Sequence, residues 1–165
     1  MGRKNLQKGS GLVEILVAIF IFSIILGALI NASSAYFSGA GANLLSTKAA
    51  YLAEEGIEAV KTIRDSNWSN ISTSTLEDNT DYYLYFDTSS STNNIWKATT
   101  TASIIDNNFV RTFKVNSVNR DANGRIISSG GTIDAYTKKL TVSISWVSNN
   151  STTTKSLSTY ITNIL

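Results

Sequence analysis

The sequence contains no cysteine, no histidine and no proline. Without cysteine there is no disulfide, no thiolate nucleophile and no lipidated amino-terminal anchor. Without histidine the commonest general base is missing, and the two absences together remove most zinc sites and the usual nucleophile pairings. No glycine-rich loop stands between a strand and a helix where a phosphate would be cradled. An enzyme has few groups to work with here, and neither a cofactor nor a metal is expected. Without proline, nothing fixes a kink or a stop inside a helical pattern. Charge is scarce as well. The formal net charge is +2, and Arg3, Lys4 and Lys8 supply three positive charges, so the side chains after them sum to −1. Such a balance gives no clustered attraction for phosphate, and nucleic acid is not an expected partner. At 165 residues and 17.9 kDa, with the first third taken by a leader and a helix, the remainder holds one small domain.

What is present begins with Lys8-Gly9-Ser10-Gly11-Leu12-Val13-Glu14, which sets one carboxylate at the mouth of an apolar run behind a short basic leader. From Ile15 to Ile30 there is no charge, and the next charged side chain after Glu14 is Lys48. As a helix this run is long enough to cross much of a bilayer. An ionised Glu14 at its membrane end is unfavourable unless it is paired or reaches the interface. Two plain readings stand beside this one. A secretory signal peptide would share the basic front and apolar middle and end at small residues such as Ser33-Ser34-Ala35, but it has no use for Glu14 and is usually shorter. A retained membrane anchor explains the hydrophobicity but not Gly9 and Glu14 together.

The residues Gly9, Leu12, Val13 and Glu14 resemble the amino-terminal segment of type IV prepilins and pseudopilins, in which a basic leader and Gly precede Phe, Thr, Leu, Ile or Val, Glu and an apolar helix. The resemblance implies that a prepilin peptidase cuts between Gly9 and Ser10 and that Ser10 becomes the methylated amino terminus. It also implies that Glu14 neutralises the amino terminus of a neighbouring subunit during assembly. Two positions depart from the pattern: Ser10 stands in place of Phe and Gly11 in place of Thr. The site residues expected are therefore Gly9 and Ser10 for cleavage, Ser10 for methylation and Glu14 as the assembly charge, with Leu12 and Val13 completing the motif. The resemblance further implies as partners the peptidase, other pilin subunits, the inner-membrane assembly machinery and, before assembly, membrane lipid.

Beyond the apolar run the helical pattern continues. Leu45, Ala49, Leu52, Ala53, Ile57, Val60 and Ile63 recur at three- and four-residue spacing, with Lys48, Glu54, Glu55, Glu58, Lys61 and Arg64 on other faces. The spacing predicts one helix from about Gly11 to about Asp65, with Gly27, Gly39 and Gly41 as its weak points and Gly39 to Gly41 as a place for bending or local melting. Glu54, Glu55 and Glu58 are expected on a solvated face, with Glu58 spaced to pair with Lys61. The segment Leu52-Ala53-Glu54-Glu55-Gly56-Ile57-Glu58-Ala59-Val60 resembles one common in minor pilins and minor pseudopilins.

After Trp68 the composition turns to Ser, Thr and Asn, and short alternating runs predict strands. Tyr82 to Phe86 and Ile95 to Thr99 form an expected hairpin across the polar loop Thr88 to Asn94. Phe109 to Val118 is a longer strand with Phe109, Phe113 and Val115 on one face. Arg120-Asp121-Ala122-Asn123-Gly124 carries turn chemistry and lacks the further oxygen ligands and late Glu of a calcium loop. Leu140 to Val147 alternates apolar Leu140, Val142, Ile144 and Trp146 with Thr141, Ser143 and Ser145, and its partner is expected at Thr154 to Thr162 across the loop Ser148 to Ser151. The apolar face of this sheet needs a cover, and the Leu45 to Ile63 stripe is the one available.

The expected fold is α+β and pilin-like, a long amino-terminal helix packed on a carboxy-terminal antiparallel sheet. Its expected parts are a leader over 1–9, a membrane and assembly helix over 10–35, an amphipathic continuation over 36–66, and a β-rich head over 67–165 covered by 45–63. The expected function is that of a minor structural subunit of a type IV pilus, or fimbrium, or of a type II secretion-like pseudopilus. It would sit in the cytoplasmic membrane as a single-pass protein before assembly, then at the cell surface or in the periplasm. The alternative is a membrane-anchored or secreted binding module, adhesin-like, that uses the same β domain.

Overall fold

The computed structural model describes residues 7–72, 75–89, 95–148 and 150–164. Arg3 and Lys4 of the basic leader, residues 90–94 of the expected polar loop and Asn149 of the expected Ser148 to Ser151 loop lie outside them. The chain divides into two compact units, Met1–Leu44 and Leu45–Leu165.

Helix α1, Gln7–Ser66, contributes to both units. It is helical from the first described residue and continues without a break through Gly27, Gly39 and Gly41. The local melting expected at Gly39 to Gly41 does not occur. A glycine costs a helix up to ~1 kcal/mol, and uninterrupted i to i−4 hydrogen bonding on both sides absorbs that. The helix ends where Ser66 Oγ donates to the Ile63 carbonyl at 2.7 Å and Asn67 turns to extended backbone. Asn67 Oδ1 then accepts from the Ser69 amide at 2.8 Å and caps a short 3₁₀ turn, Trp68–Ile71.

In the first unit, the large apolar side chains from Leu12 to Ile30 are exposed, Phe20 at 67%. Among the described residues α1 is the one helix long and apolar enough to cross a membrane, by length and composition.

The second unit is an antiparallel sheet covered by residues 45–66 of α1. Its strands are β1, Tyr82–Asp87; β2, Ile95–Thr99; β3, Ile104–Ile105; β4, Phe109–Arg120; β5, Ile126–Ile127; β6, Thr132–Ser148; and β7, Ser151–Thr162. They run in the order β2-β1-β4-β6-β7, with β3 and β5 also paired to β4. The β1–β2 hairpin, the β4 strand and the β6–β7 pair fall where alternation places them. Phe109, Phe113 and Val115 from β4 and Leu140, Val142, Ile144 and Trp146 from β6 are buried against Ala49, Ala53, Ile57, Val60 and Ile63 of α1. Leu45 and Leu52 pack at the margin of this core.

On the other face of the sheet, hydroxyls pair across β6 and β7: Thr141 with Ser158, Ser143 with Ser156, and Ser145 with Thr154, each at 2.8 Å. With no cysteine in the chain, the carboxy-terminal strand is held by its pairing with β6 from Thr137 to Ser148.

Three features depart from the sequence expectation. The two-residue strands β3 and β5 are additional, and β6 starts at Thr132 rather than Leu140. The β4–β6 register shifts at Ser117/Val118, because Ser117 faces Lys138 while Val118 faces Asp134. The extra β6 residues form a bulge there, which breaks the period-2 pattern and leaves Thr137 and Lys138 buried in succession.

Candidate functional site

The segment Gly9 to Glu14 lies within α1, which places the Gly9–Ser10 bond in helical backbone. Ser10 and Glu14 are four residues apart, about one turn along α1. Leu12 and Val13 are exposed, 63% and 59%, and Glu14 is exposed among them. Among the described residues Glu14 has no ion-pair partner, and the nearest charge beyond it in sequence is Lys48. The arrangement is a single carboxylate on an apolar helical surface. In a lipid or helix-packed setting such an ionised group is unfavourable unless it is paired or reaches the interface.

The head carries a different polar chemistry. Arg111 lies on the inward face of β4 between Phe109 and Phe113 and is only 5% exposed. Its Nη1 donates to Glu55 Oε2 at 2.9 Å and to the Leu52 carbonyl at 3.2 Å, and its guanidinium lies 5.2 Å from the Trp96 ring centroid. Glu54, Glu55 and Glu58 are all exposed, as expected of a solvated face, and Glu55 in addition ties α1 to β4 through Arg111. Glu58 accepts from Lys61 at 2.7 Å, as its spacing implies. Alternation alone places Arg111 inward, so this contact had a sequence signal that the apolar residues around it obscured.

Lys138 is buried at the bulge, donating to Ser117 Oγ at 2.9 Å with Asp78 Oδ1 at 3.7 Å. Arg120 Nε donates to Asp134 Oδ2 at 2.6 Å, and the Tyr136 amide donates to Asp134 Oδ1 at 2.8 Å. The Arg120 guanidinium, followed by Thr137 and the Tyr136 amide, holds the Asp134 carboxyl down at about 2. Lys97, with help from Ser89, likewise holds Asp87 below the usual carboxylate range. Both shifts come from ion pairs on the sheet, and neither carboxylate lines the three clefts of about 250 to 330 Å³ on the head.

At the β4–β5 turn, Asp121 Oδ1 accepts from the amides of Asn123 and Arg125 at 2.9 and 2.8 Å, and Gly124 takes φ +77°. Its carboxylate is engaged in closing the turn, which is the ordinary hairpin chemistry expected of this sequence.

Gly9, Ser10, Leu12, Val13 and Glu14 thus lie on one helical segment of α1. No curated protein and no solved structure matches the chain. A protein family does match over residues 4–30, under the description prokaryotic N-terminal methylation motif. That match covers the leader residues from Lys4, the Gly9–Ser10 bond, Glu14 and the apolar run to Ile30, and it stops short of the head. This motif, joined to a long apolar helix and an antiparallel sheet, supports a type IV prepilin- or pseudopilin-type protein.

Proposed function

We propose that the chain is a minor structural subunit of a type IV pilus or of a type II secretion-like pseudopilus. A prepilin peptidase adds water across the Gly9–Ser10 amide, leaving the Gly9 carboxylate on the leader and a new amine on Ser10, which is then methylated. Before assembly the protein is held in the cytoplasmic membrane by the apolar part of α1, with its head outside the bilayer. The assembly machinery then moves it into the filament through contacts between amino-terminal helices, and Glu14 receives the positive Ser10 amine of an adjacent subunit. No catalysis is assigned to the chain, and its head supplies surface and packing.

The observation that carries this reading is Glu14, a lone exposed carboxylate in an apolar helix one turn from Ser10. A plain anchor gains nothing from such a group, whereas a filament of staggered helices brings an amine to it. Support for the minor class comes from the resemblance of Leu52 to Val60.

The test is processing. Coexpression with a prepilin peptidase is expected to remove the nine residues up to Gly9 and leave Ser10 first. Gly9→Val is expected to block the cut, because the added side chain occupies space that the peptidase reserves for glycine. Amino-terminal sequencing decides the matter, and a terminus near Ala35 or Tyr36 would establish signal-peptide removal instead and end the filament reading.

A further inference from the structure

Strand β7 is one edge of the sheet, and its outer side meets no other strand among the described residues. Its register with β6 runs unbroken from Ser151 to Thr162, so no bulge turns it away, and the chain has no proline to interrupt it. Such a strand leaves every second N–H and C=O open to pairing with another chain. The opposite edge, β2, is five residues long and carries Lys97, tied to Asp87 at 2.6 Å. On β7 the one charge is Lys155, which turns toward α1 and lies 3.5 Å from the Ser46 carbonyl. An inward-pointing lysine guards an edge against added strands. Past it, Ser156 to Thr162 carries no such guard.

Beside that stretch lies a cleft of about 330 Å³, with Leu157 on the strand side and Glu54, Ile57, Glu58 and Lys61 on the helix side. Leu157 is 41% exposed. Glu58 and Lys61 satisfy each other at 2.7 Å, whereas Glu54 has no partner among the described residues. The cleft therefore joins an apolar surface to one uncompensated negative charge. The β4 side of α1 shows what meets such a combination. There β4 presents Phe109, Arg111 and Phe113 on one face, and Arg111 reaches Glu55 at 2.9 Å.

We propose that the outer edge of β7 takes up an extended segment of a partner polypeptide as an added strand, with an apolar side chain beside Leu157 and a lysine or arginine against Glu54. Main-chain hydrogen bonds along the edge supply affinity, and the cleft selects alternate side chains on one face of the incoming segment. A strand added ~4.8 Å beyond β7 brings those side chains under the flank of α1 that carries Glu54 and Glu58. Such binding requires neither cleavage at Gly9 nor assembly through Glu14.

The full chain in detergent is tested with a peptide of the sequence Phe109 to Val115, one face of which carries Phe109, Arg111 and Phe113, and with the same peptide bearing Arg111→Glu. Hydrogen exchange read by mass spectrometry on the fragment spanning β7 reports strand addition. About half of the β7 amides are expected to exchange rapidly in the protein alone and to slow about tenfold or more with saturating arginine peptide. Glu54→Lys changes an exposed helix position. It is expected to weaken binding of the arginine peptide about tenfold and to bind the glutamate peptide more tightly than the natural protein does, since attraction and repulsion trade places. Protection of β7 with this exchange of preference supports the proposal. No protection by the arginine peptide, or equal binding of both peptides by both proteins, overturns it. If all β7 amides are already protected in the protein alone and its mass is that of a dimer, a second copy occupies the edge and the proposal is overturned as well.

Discussion

Asp134 is held by Arg120, Thr137 and the Tyr136 amide, and its carboxyl titrates at about 2 rather than at its ordinary 3.8. A carboxyl whose folded value is lowered binds its proton more weakly in the folded state than in the unfolded one. It therefore stabilises the fold above the ordinary carboxylate range and loses that contribution as pH falls through its own value. Asp134→Asn is expected to melt below the natural protein near neutral pH, and the gap should close between about pH 4 and about pH 2. Thermal unfolding of the full chain in detergent, followed by tryptophan fluorescence across that range, measures it; a gap that does not change with pH would contradict the assignment. Arg111 shows how such residues hide in a sequence. The period-2 rule places it inward with Phe109 and Phe113, yet a charge at a core position reads as an error until its partners are known. Those partners, Glu55 and the Leu52 carbonyl, lie 56 and 59 residues away, beyond the reach of any local pattern. The motif residues from Gly9 to Glu14 are the opposite case, since their chemistry is written in adjacent positions.

Where α1 crosses the sheet, Gly56 is the point of closest approach. A Cβ there would lie 2.8 Å from Val142 Cγ1 and 3.0 Å from Arg111 Cδ, so glycine is what allows this turn of helix to rest on β4 and β6. Alanine would gain up to ~1 kcal/mol of helix propensity, against roughly 1–3 kcal/mol for overpacking a close-packed contact. Overpacking wins because Val142 is buried on a central strand and cannot move aside. Gly56→Ala is expected to lower the melting temperature by a few degrees, and an unchanged or higher melting temperature would show that the interface yields easily. The elements themselves were legible to different degrees. The α1 pattern and strands β1, β2, β4 and the apolar part of β6 follow from periodicity, since each repeats its signal over several residues. Two-residue strands such as β3 and β5 have too little length to show a period. The start of β6 was hidden by its bulge, which shifts the alternation between Asp134 and Lys138. Its entry also depends on Gly131, at φ +69°, where a Cβ would run into the Arg120 carbonyl oxygen.

For the molecule as a whole, the function proposed above gives the amino-terminal segment and the head different surroundings, lipid or neighbouring helices for one and water for the other. Glu14→Gln tests how the first of these works, because it keeps size and removes charge. The variant is expected to be cleaved at Gly9 and to insert in the membrane at least as well as the natural protein, since a neutral amide is less costly there than a carboxylate. It should nevertheless enter sheared pili or pseudopili poorly, having lost its attraction for the Ser10 amine of a neighbour. The ratio of filament-associated to membrane-retained protein measures this, with the leader-cleaved fraction checked by gel shift. Normal incorporation would mean that Glu14 does not direct assembly.

The order of the elements along the chain also sets a timetable. Ala49, Ala53, Ile57, Val60 and Ile63 leave the ribosome before the strands that bury them, and the last residues of β6 follow Ile63 by about 85 positions. At roughly 5–20 residues per second this is an interval of about 4 to 17 s, during which the stripe lacks its full cover. Long-range pairings such as β4 with β6 close late in any case, because their loop entropy must be overcome first. The head is thus completed after synthesis has passed it, and whatever escorts the nascent chain through those seconds meets an apolar helix face that the finished protein conceals.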